Sequence, residues 1–209
     1  MCKIGILLLD RDFEHDIYEL IKAFYPEGDI HSLYEKDEAV YDIFFTVKKD
    51  NDNFVIKYEM KDQKGVASAE VIRGADGDSS QETHEKLMDA HELRKANKDS
   101  LKYALYNVLV KLTGRTLPWG NLTGIRPAKL AMGMIESGMK NTEIAQEMRE
   151  RYLVSAKKTA LAITIANRER ALLQDIDYEH GYSLYVGIPF CPSICLYCSF
   201  SSYPLKVWE

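Results

Sequence analysis

Three cysteines late in the sequence have the residue type and spacing to bind a metal cluster. Cys191, Cys195 and Cys198 form a CxxxCxxC pattern within eight residues, whereas the fourth cysteine, Cys2, stands alone at the start. Thiolates are soft ligands that suit iron–sulfur clusters and zinc. Three thiolates on one short loop can hold three corners of a [4Fe-4S] cluster and leave the fourth iron open to a small molecule. The pattern therefore predicts an iron–sulfur site with one exchangeable position.

Structural zinc and buried, inert thiols are the alternatives to a cluster. Zinc sites commonly use four ligands, drawn from paired CxxC or Cys/His motifs. Here the first gap is three residues, and the nearest histidine, His180, lies eleven positions before Cys191. The spacing favours the cluster. The other histidines are dispersed and, like Cys2, receive no assigned role.

The segment that enters the triad resembles a known family. Residues 185–191 read YVGIPFC and lead directly into the CxxxCxxC pattern. This is similar to the radical S-adenosylmethionine (SAM) enzymes of the oxygen-independent coproporphyrinogen III oxidase/dehydrogenase family. Gly187 stands where that family usually has histidine, a departure that the HemZ-like branch shares. Residues 117–129 (LPWGNLTGIRPAK) and 152–155 (YLVS) also resemble that branch.

The resemblance implies cofactors and an activity. Cys191, Cys195 and Cys198 would bind a [4Fe-4S] cluster, and Tyr185 and Tyr197 would contact SAM. A 5′-deoxyadenosyl radical would take hydrogen from the propionates of coproporphyrinogen III, which would lose CO₂ and an electron to become vinyl groups in heme biosynthesis. The partners would be this tetrapyrrole and an external electron donor, and no catalytic residue is assigned. The alternative is a relative that binds or delivers heme without oxidising coproporphyrinogen.

Relatives in this family continue with a partial (β/α) barrel after the cluster loop. This sequence ends at Glu209, soon after Cys198. We therefore expect it to be the N-terminal part of a longer enzyme, able to present the cluster ligands but inactive alone.

The composition of the chain indicates the broad class of protein to which it belongs. The 209 residues carry a net charge of −5, and acidic chains are poor ligands for nucleic acids and anionic membranes. The sequence contains no apolar run of the roughly 18 residues that a membrane-spanning helix needs. Charged residues break the apolar run after Leu9, and no signal-peptide cleavage site follows. We expect a cytoplasmic protein.

Apolar periodicity predicts an α+β fold with three parts. Residues 1–75 form a small domain with a strand from Lys3, a helix ending before Pro26 and a strand meander. Residues 76–178 form a helical accessory region. Residues 179–209 begin a truncated barrel, with a strand over 182–188 followed by the cluster loop.

The helical region suggests two further interpretations. Residues 143–155 and the helix after them resemble a helix-turn-helix, which gives a weaker alternative function as a DNA-binding regulator. The loop over residues 119–129, with Arg126 and Lys129 beside Gly124, could contact the carboxylates of a porphyrinogen. The preferred interpretation of this loop is a connection between helices in which Arg126 caps carbonyl groups.

Overall fold

A computed structural model describes most of the chain, and its residues fall into two compact units, Met1–Arg170 and Ala171–Glu209. Each unit is described by itself. The described residues are 2–9, 11–37, 39–50, 53–60, 63–70, 90–177, 180–182, 184–193, 195–200 and 203–204.

A five-stranded sheet organises the first unit. Its strands are β1 (Lys3–Leu8), β2 (Asp29–Leu33), β3 (Ile43–Asp50), β4 (Asn53–Met60) and β5 (Gln63–Glu70). Across the sheet the order is β2-β1-β3-β4-β5, with β1 parallel to both of its neighbours and β3, β4 and β5 forming an antiparallel meander. Ile4 of β1 lies opposite Ile30 and Ile43, which fixes the central register.

Two helices share the core of this sheet. In α1 (Glu14–Phe24), residues Ile17, Leu20, Ile21 and Phe24 are buried, at the spacing of one helix face. Helix α2 (Ala90–Thr113) adds a second stripe to the same core. That stripe contains Leu101, Leu105, Tyr106, Val108 and Leu109. The apolar spacing of the sequence predicts both stripes except Tyr106, and it also places Leu112 on the second stripe, where that residue is only partly buried.

A second core joins three shorter helices, α3 (Pro127–Glu136), α4 (Asn141–Glu150) and α5 (Ala156–Leu173). Small residues of α3 and α5 and the larger apolar residues of α4 meet there. The buried members include Ala131, Ile135, Ile144, Met148, Ala162 and Ala166. The apolar periodicity of the sequence predicts helices over 127–136, 142–151 and 155–173, so each observed helix begins and ends within one residue of its predicted position.

The predicted α+β class is confirmed, with one strand added. Strand β2 was not predicted because its five residues, DIHSL, are mostly polar and none is fully buried. It forms an edge of the sheet through pairing with β1. The predicted boundary at 75–76 lies outside the described residues, so the three-part division stays a prediction. Within the part that the structure describes, no helix is long and apolar enough to cross a membrane.

Candidate metal centre

The cysteine loop is closed at its base by a short strand pair. Strands β6 (Phe190–Cys191) and β7 (Tyr203–Pro204) are parallel, and the Tyr203 amide donates to the Pro189 carbonyl at 2.7 Å. The Phe190 and Tyr203 rings pack with centroids 6.2 Å apart. This pairing brings together the two ends of a loop that carries all three cysteines of the triad.

The strand predicted over residues 182–188 is wrong for the part of it that the structure describes. Tyr182 and residues 184–188 form no strand, and pairing begins only at Phe190. A strand of a parallel sheet depends on neighbouring strands and on covered faces. The described residues of Ala171–Glu209 offer only the two-residue β7 as a partner. Tyr185 and Ile188 accordingly remain exposed.

The three thiols share one loop without converging. All are free; Cys191 and Cys198 are half-buried and Cys195 is exposed. A turn joins the second and third, with the Cys198 amide donating to the Cys195 carbonyl at 2.9 Å. The Cys198 Sγ lies 3.9 Å from the Phe200 carbonyl oxygen. Among the described residues, no three His, Cys, Asp or Glu side chains are grouped as metal ligands.

The donor set nevertheless fits an iron–sulfur cluster chemically. Three soft thiols lie within eight residues, and no disulfide competes for them. Each side chain is at least partly open to solvent, so a cluster could reach it. Cys191, Cys195 and Cys198 are the residues that would hold the group, and their ligand role stays a prediction.

The two tyrosines assigned to SAM lie on either side of Cys191 in the sequence. Tyr185 precedes that cysteine, and Tyr197 lies in the turn between Cys195 and Cys198; the two are 86% and 90% exposed. A Cβ on Gly187 would lie 3.3 Å from the Tyr185 ring. Any larger residue at position 187, such as the histidine usual in the family, would therefore shift this ring.

The loop over residues 117–129 is firmly packed inside the first unit. The Leu117 amide donates to the Tyr106 hydroxyl at 2.9 Å, and the Asn121 amide donates to the Tyr152 carbonyl at 3.0 Å. The Lys158 ammonium lies 5.1 Å from the centre of the Trp119 ring. These contacts tie the loop to α2, to the turn after α4 and to α5.

Arg126 is exposed and directly precedes α3, where its side chain makes no capping hydrogen bond to the amides of the first turn. Helix α3 begins with Pro127, which has no amide hydrogen to satisfy at that position. The capping of carbonyl groups by Arg126 stays a prediction. Lys129 is also exposed. Contact of either residue with a porphyrinogen stays a prediction.

Lys102 is the functional candidate that sequence reasoning missed. It is only 6% exposed, and its ammonium donates to the Thr123 hydroxyl at 2.8 Å. The available signal was its position in α2, three residues before Leu105 on a buried stripe. A lysine on such a stripe needs a polar partner.

Comparison with known proteins gives a relative for this chain. It is 36% identical over 135 residues to the oxygen-independent coproporphyrinogen-III oxidase-like protein HemZ of Bacillus subtilis (strain 168). The match covers 62% of this chain and 27% of the relative. Over that stretch the chain is similar to HemZ. No family model and no solved structure matches it.

The family resemblance drawn from the motifs is thereby confirmed. The relative's name supports an oxidase-like enzyme family connected with porphyrins. Because the chain spans 27% of the length of HemZ, the activity of a whole HemZ-like protein is a matter of proposal for this one.

Proposed function

We propose that residues 185–198 form the cluster-binding segment of a radical SAM enzyme that oxidatively decarboxylates coproporphyrinogen III propionates. One observation carries the proposal: an uncrosslinked CxxxCxxC loop occurs in a chain similar to a coproporphyrinogen-III oxidase-like relative. Neither part is sufficient alone, since thiol triads also bind zinc and an oxidase-like name specifies no cofactor.

The cysteines are the ligands in this proposal. Cys191, Cys195 and Cys198 would each give one thiolate to an iron, and the absence of a fourth nearby cysteine or histidine leaves room for SAM. A bound [4Fe-4S] cluster supplies the electron that cleaves SAM. The half-buried state of Cys191 and Cys198 lets their sulfur atoms contact both the cluster and the protein.

The tyrosines would bind SAM beside these ligands. An aromatic ring offers a large apolar surface together with a polar hydroxyl, which suits a nucleoside with a charged tail. Tyr197 is fixed next to the ligands by the turn that joins Cys195 to Cys198. The substrate's propionates and an external electron donor complete the reaction that we propose.

Anaerobic reconstitution of this chain with iron and sulfide tests the cluster. We expect about four irons per chain and the broad visible absorption of a [4Fe-4S] cluster. Cys191→Ala, Cys195→Ala and Cys198→Ala should each abolish it. Cys2→Ala is the matched control, because it removes a thiol outside the loop and should leave the iron content unchanged. Zinc binding with no iron uptake would refute the proposal.

Two further measurements separate the activity from its alternatives. SAM added to the reduced, reconstituted chain should change its electron paramagnetic resonance spectrum, and Tyr197→Ala should weaken that effect. The full-length gene product should convert coproporphyrinogen III to vinyl products with SAM and a reductant. Stoichiometric heme binding with neither SAM cleavage nor conversion would instead support a heme-binding relative.

A further inference from the structure

A cavity of about 310 Å³ lies within the first unit, between the start of α1, helix α2 and the loop before α3. Its volume is at the lower end of small-molecule sites, which run from about 300 to 1,000 Å³. Its apolar lining includes Phe13, Leu122 and Leu130. Cationic side chains from successive turns of α2 also line it.

Lys102 supplies the most deeply placed charge of this cavity. Only 6% of the residue is exposed, and its ammonium donates to the Thr123 hydroxyl at 2.8 Å. A lysine ammonium can only donate, so the Thr123 oxygen accepts and its own hydrogen remains available to a second acceptor. Lys102 and Thr123 together therefore present donors to the cavity. Removing an ammonium from water is costly unless an anion is near.

The nearest carboxylates only partly compensate for the cations. Asp16 is shared: its Oδ1 lies 3.8 Å from the Lys98 ammonium and 3.9 Å from that of Lys102. Both distances exceed a hydrogen bond. The other lining carboxylate, Asp99, accepts from Arg151 at 3.0 Å and from the Tyr152 hydroxyl at 3.3 Å.

Two more cationic side chains increase the excess of positive charge in the cavity lining. Arg94 and Lys95 also line the cavity, so four cationic side chains face two carboxylates, although Arg94 is paired outside with Asp12 at 3.1 Å. This excess is local, because the whole chain carries a net charge of −5. A cavity with concentrated positive charge attracts anions through its field as well as by direct contact.

We propose that this cavity binds a small organic anion through a phosphate or carboxylate group. The anionic group would accept hydrogen bonds from the Lys102 ammonium and the Thr123 hydroxyl, close to the Lys98 ammonium that Asp16 also contacts. The apolar part of the ligand would contact Phe13 and Leu122. The site uses none of the cysteines, so the proposal of anion binding does not depend on the proposed cluster chemistry.

Titration calorimetry of the full chain tests this site with pyrophosphate and citrate as probes. We expect saturable binding of at least one probe at a single site per chain. Lys102→Met removes the charge at nearly constant volume and should weaken binding by about tenfold or more, as the loss of a charge-assisted hydrogen bond implies. Lys157→Met is the matched control, because Lys157 is exposed on α5 and does not line the cavity, so affinity should stay within about twofold.

Lys98→Gln provides a second test if Lys102→Met does not fold, as judged by circular dichroism. This variant keeps the buried lysine and should still weaken binding several-fold. Preference for pyrophosphate indicates a phosphate ligand and preference for citrate a carboxylate ligand. Failure of both probes to bind would overturn the proposal, as would equal affinities of wild type and the pocket variants. An equal loss in Lys157→Met would also overturn it by showing non-specific charge attraction.

Discussion

Gly120 and Tyr152 approach so closely that their backbones are in contact. A Cβ on Gly120 would overlap the Tyr152 carbonyl oxygen and the backbone of Leu153. Gly120 also has φ +58°, a conformation that L side chains rarely adopt. The contact holds the loop before α3 against the turn after α4, and the Asn121 amide donates to the same Tyr152 carbonyl.

Gly120→Ala should therefore destabilise the first unit. We expect the free energy of unfolding to fall by about 2–4 kcal/mol, from the positive φ together with the steric overlap. Gly124→Ala is the control, because Gly124 has φ +68° but no atom within 4 Å of its Cβ position. Its cost should be about 1 kcal/mol. Urea denaturation measures the free energy of unfolding of both variants. Equal losses in Gly120→Ala and Gly124→Ala would show that the close backbone contact contributes nothing to stability.

Tyr106→Phe should loosen the same loop from α2. The buried Tyr106 hydroxyl accepts a hydrogen bond from the half-buried Leu117 amide, and no replacement acceptor comes with phenylalanine. We expect a loss of about 1–2 kcal/mol in unfolding free energy. The Tyr106 ring packs edge-on against Phe24 and would be retained.

Tyr103→Phe is the matched control for that measurement. Tyr103 lies on the same helix and is 41% exposed, so its hydroxyl can exchange with water. Its removal should change the free energy of unfolding by less than about 0.5 kcal/mol. A loss as large as that of Tyr106→Phe would contradict the role assigned to the Leu117 bond.

Burial of Lys102 should make stability depend on alkaline pH. Desolvation lowers the pKa of Lys102 below 10.5, an effect that Asp16, Asp99 and Glu19 oppose and Lys98 reinforces. When pH rises through the lowered pKa, the folded chain releases a proton that the unfolded chain still holds. Stability from this group therefore increases with pH until the unfolded pKa is reached.

The Lys102→Met variant lacks this titratable group, so its comparison with the wild type isolates the contribution of Lys102 to the pH dependence of stability. The difference in unfolding free energy between wild type and the variant should shift in favour of wild type between neutral pH and pH 10.5. Chemical denaturation at several pH values gives this difference. A difference that stays constant with pH would show that the folded Lys102 has an ordinary pKa.

The thiols should react at different rates in the native chain. Burial raises the pKa of Cys2, Asp42 raises it further, and the N-terminal ammonium partly opposes both. Since the thiolate is the reactive form, exposed Cys195 should be alkylated by iodoacetamide before Cys2. Mass spectrometry of peptides after timed labelling measures the order, and unfolding in urea should abolish the difference.

Sequence periodicity was sufficient for the helices and for the main strands. The stripes of α1 and α2 contain large aliphatic residues at helical spacing, so burial and local preference agree. Strand β2 lacks such a pattern because it forms through pairing with a distant strand rather than through its own apolar residues. Its formation depends on tertiary contact.

The two candidate sites show the same contrast between features encoded locally in the sequence and features that depend on tertiary contact. The cysteine ligands are close in the sequence, so their chemistry could be predicted from spacing, whereas their three-dimensional arrangement could not. The cavity around Lys102 combines α1, α2 and the loop before α3, and only the fold brings Lys102 to Thr123, which lies 21 residues later in the sequence. Long-range sites of this kind have no local sequence signal.

The interior position of β1, between β2 and β3, constrains how the chain can fold during synthesis. Residues 3–8 are made before their partner β3 at residues 43–50 and before the core stripe of α2, which follows residue 100. Such distant pairing slows folding, because the entropy cost of closing a long loop arises before the contacts between the strands can stabilise the pair. The apolar run Ile4–Leu9 therefore lacks these partners until β3 and then α2 have been made, which exposes it to non-native contacts in the nascent chain.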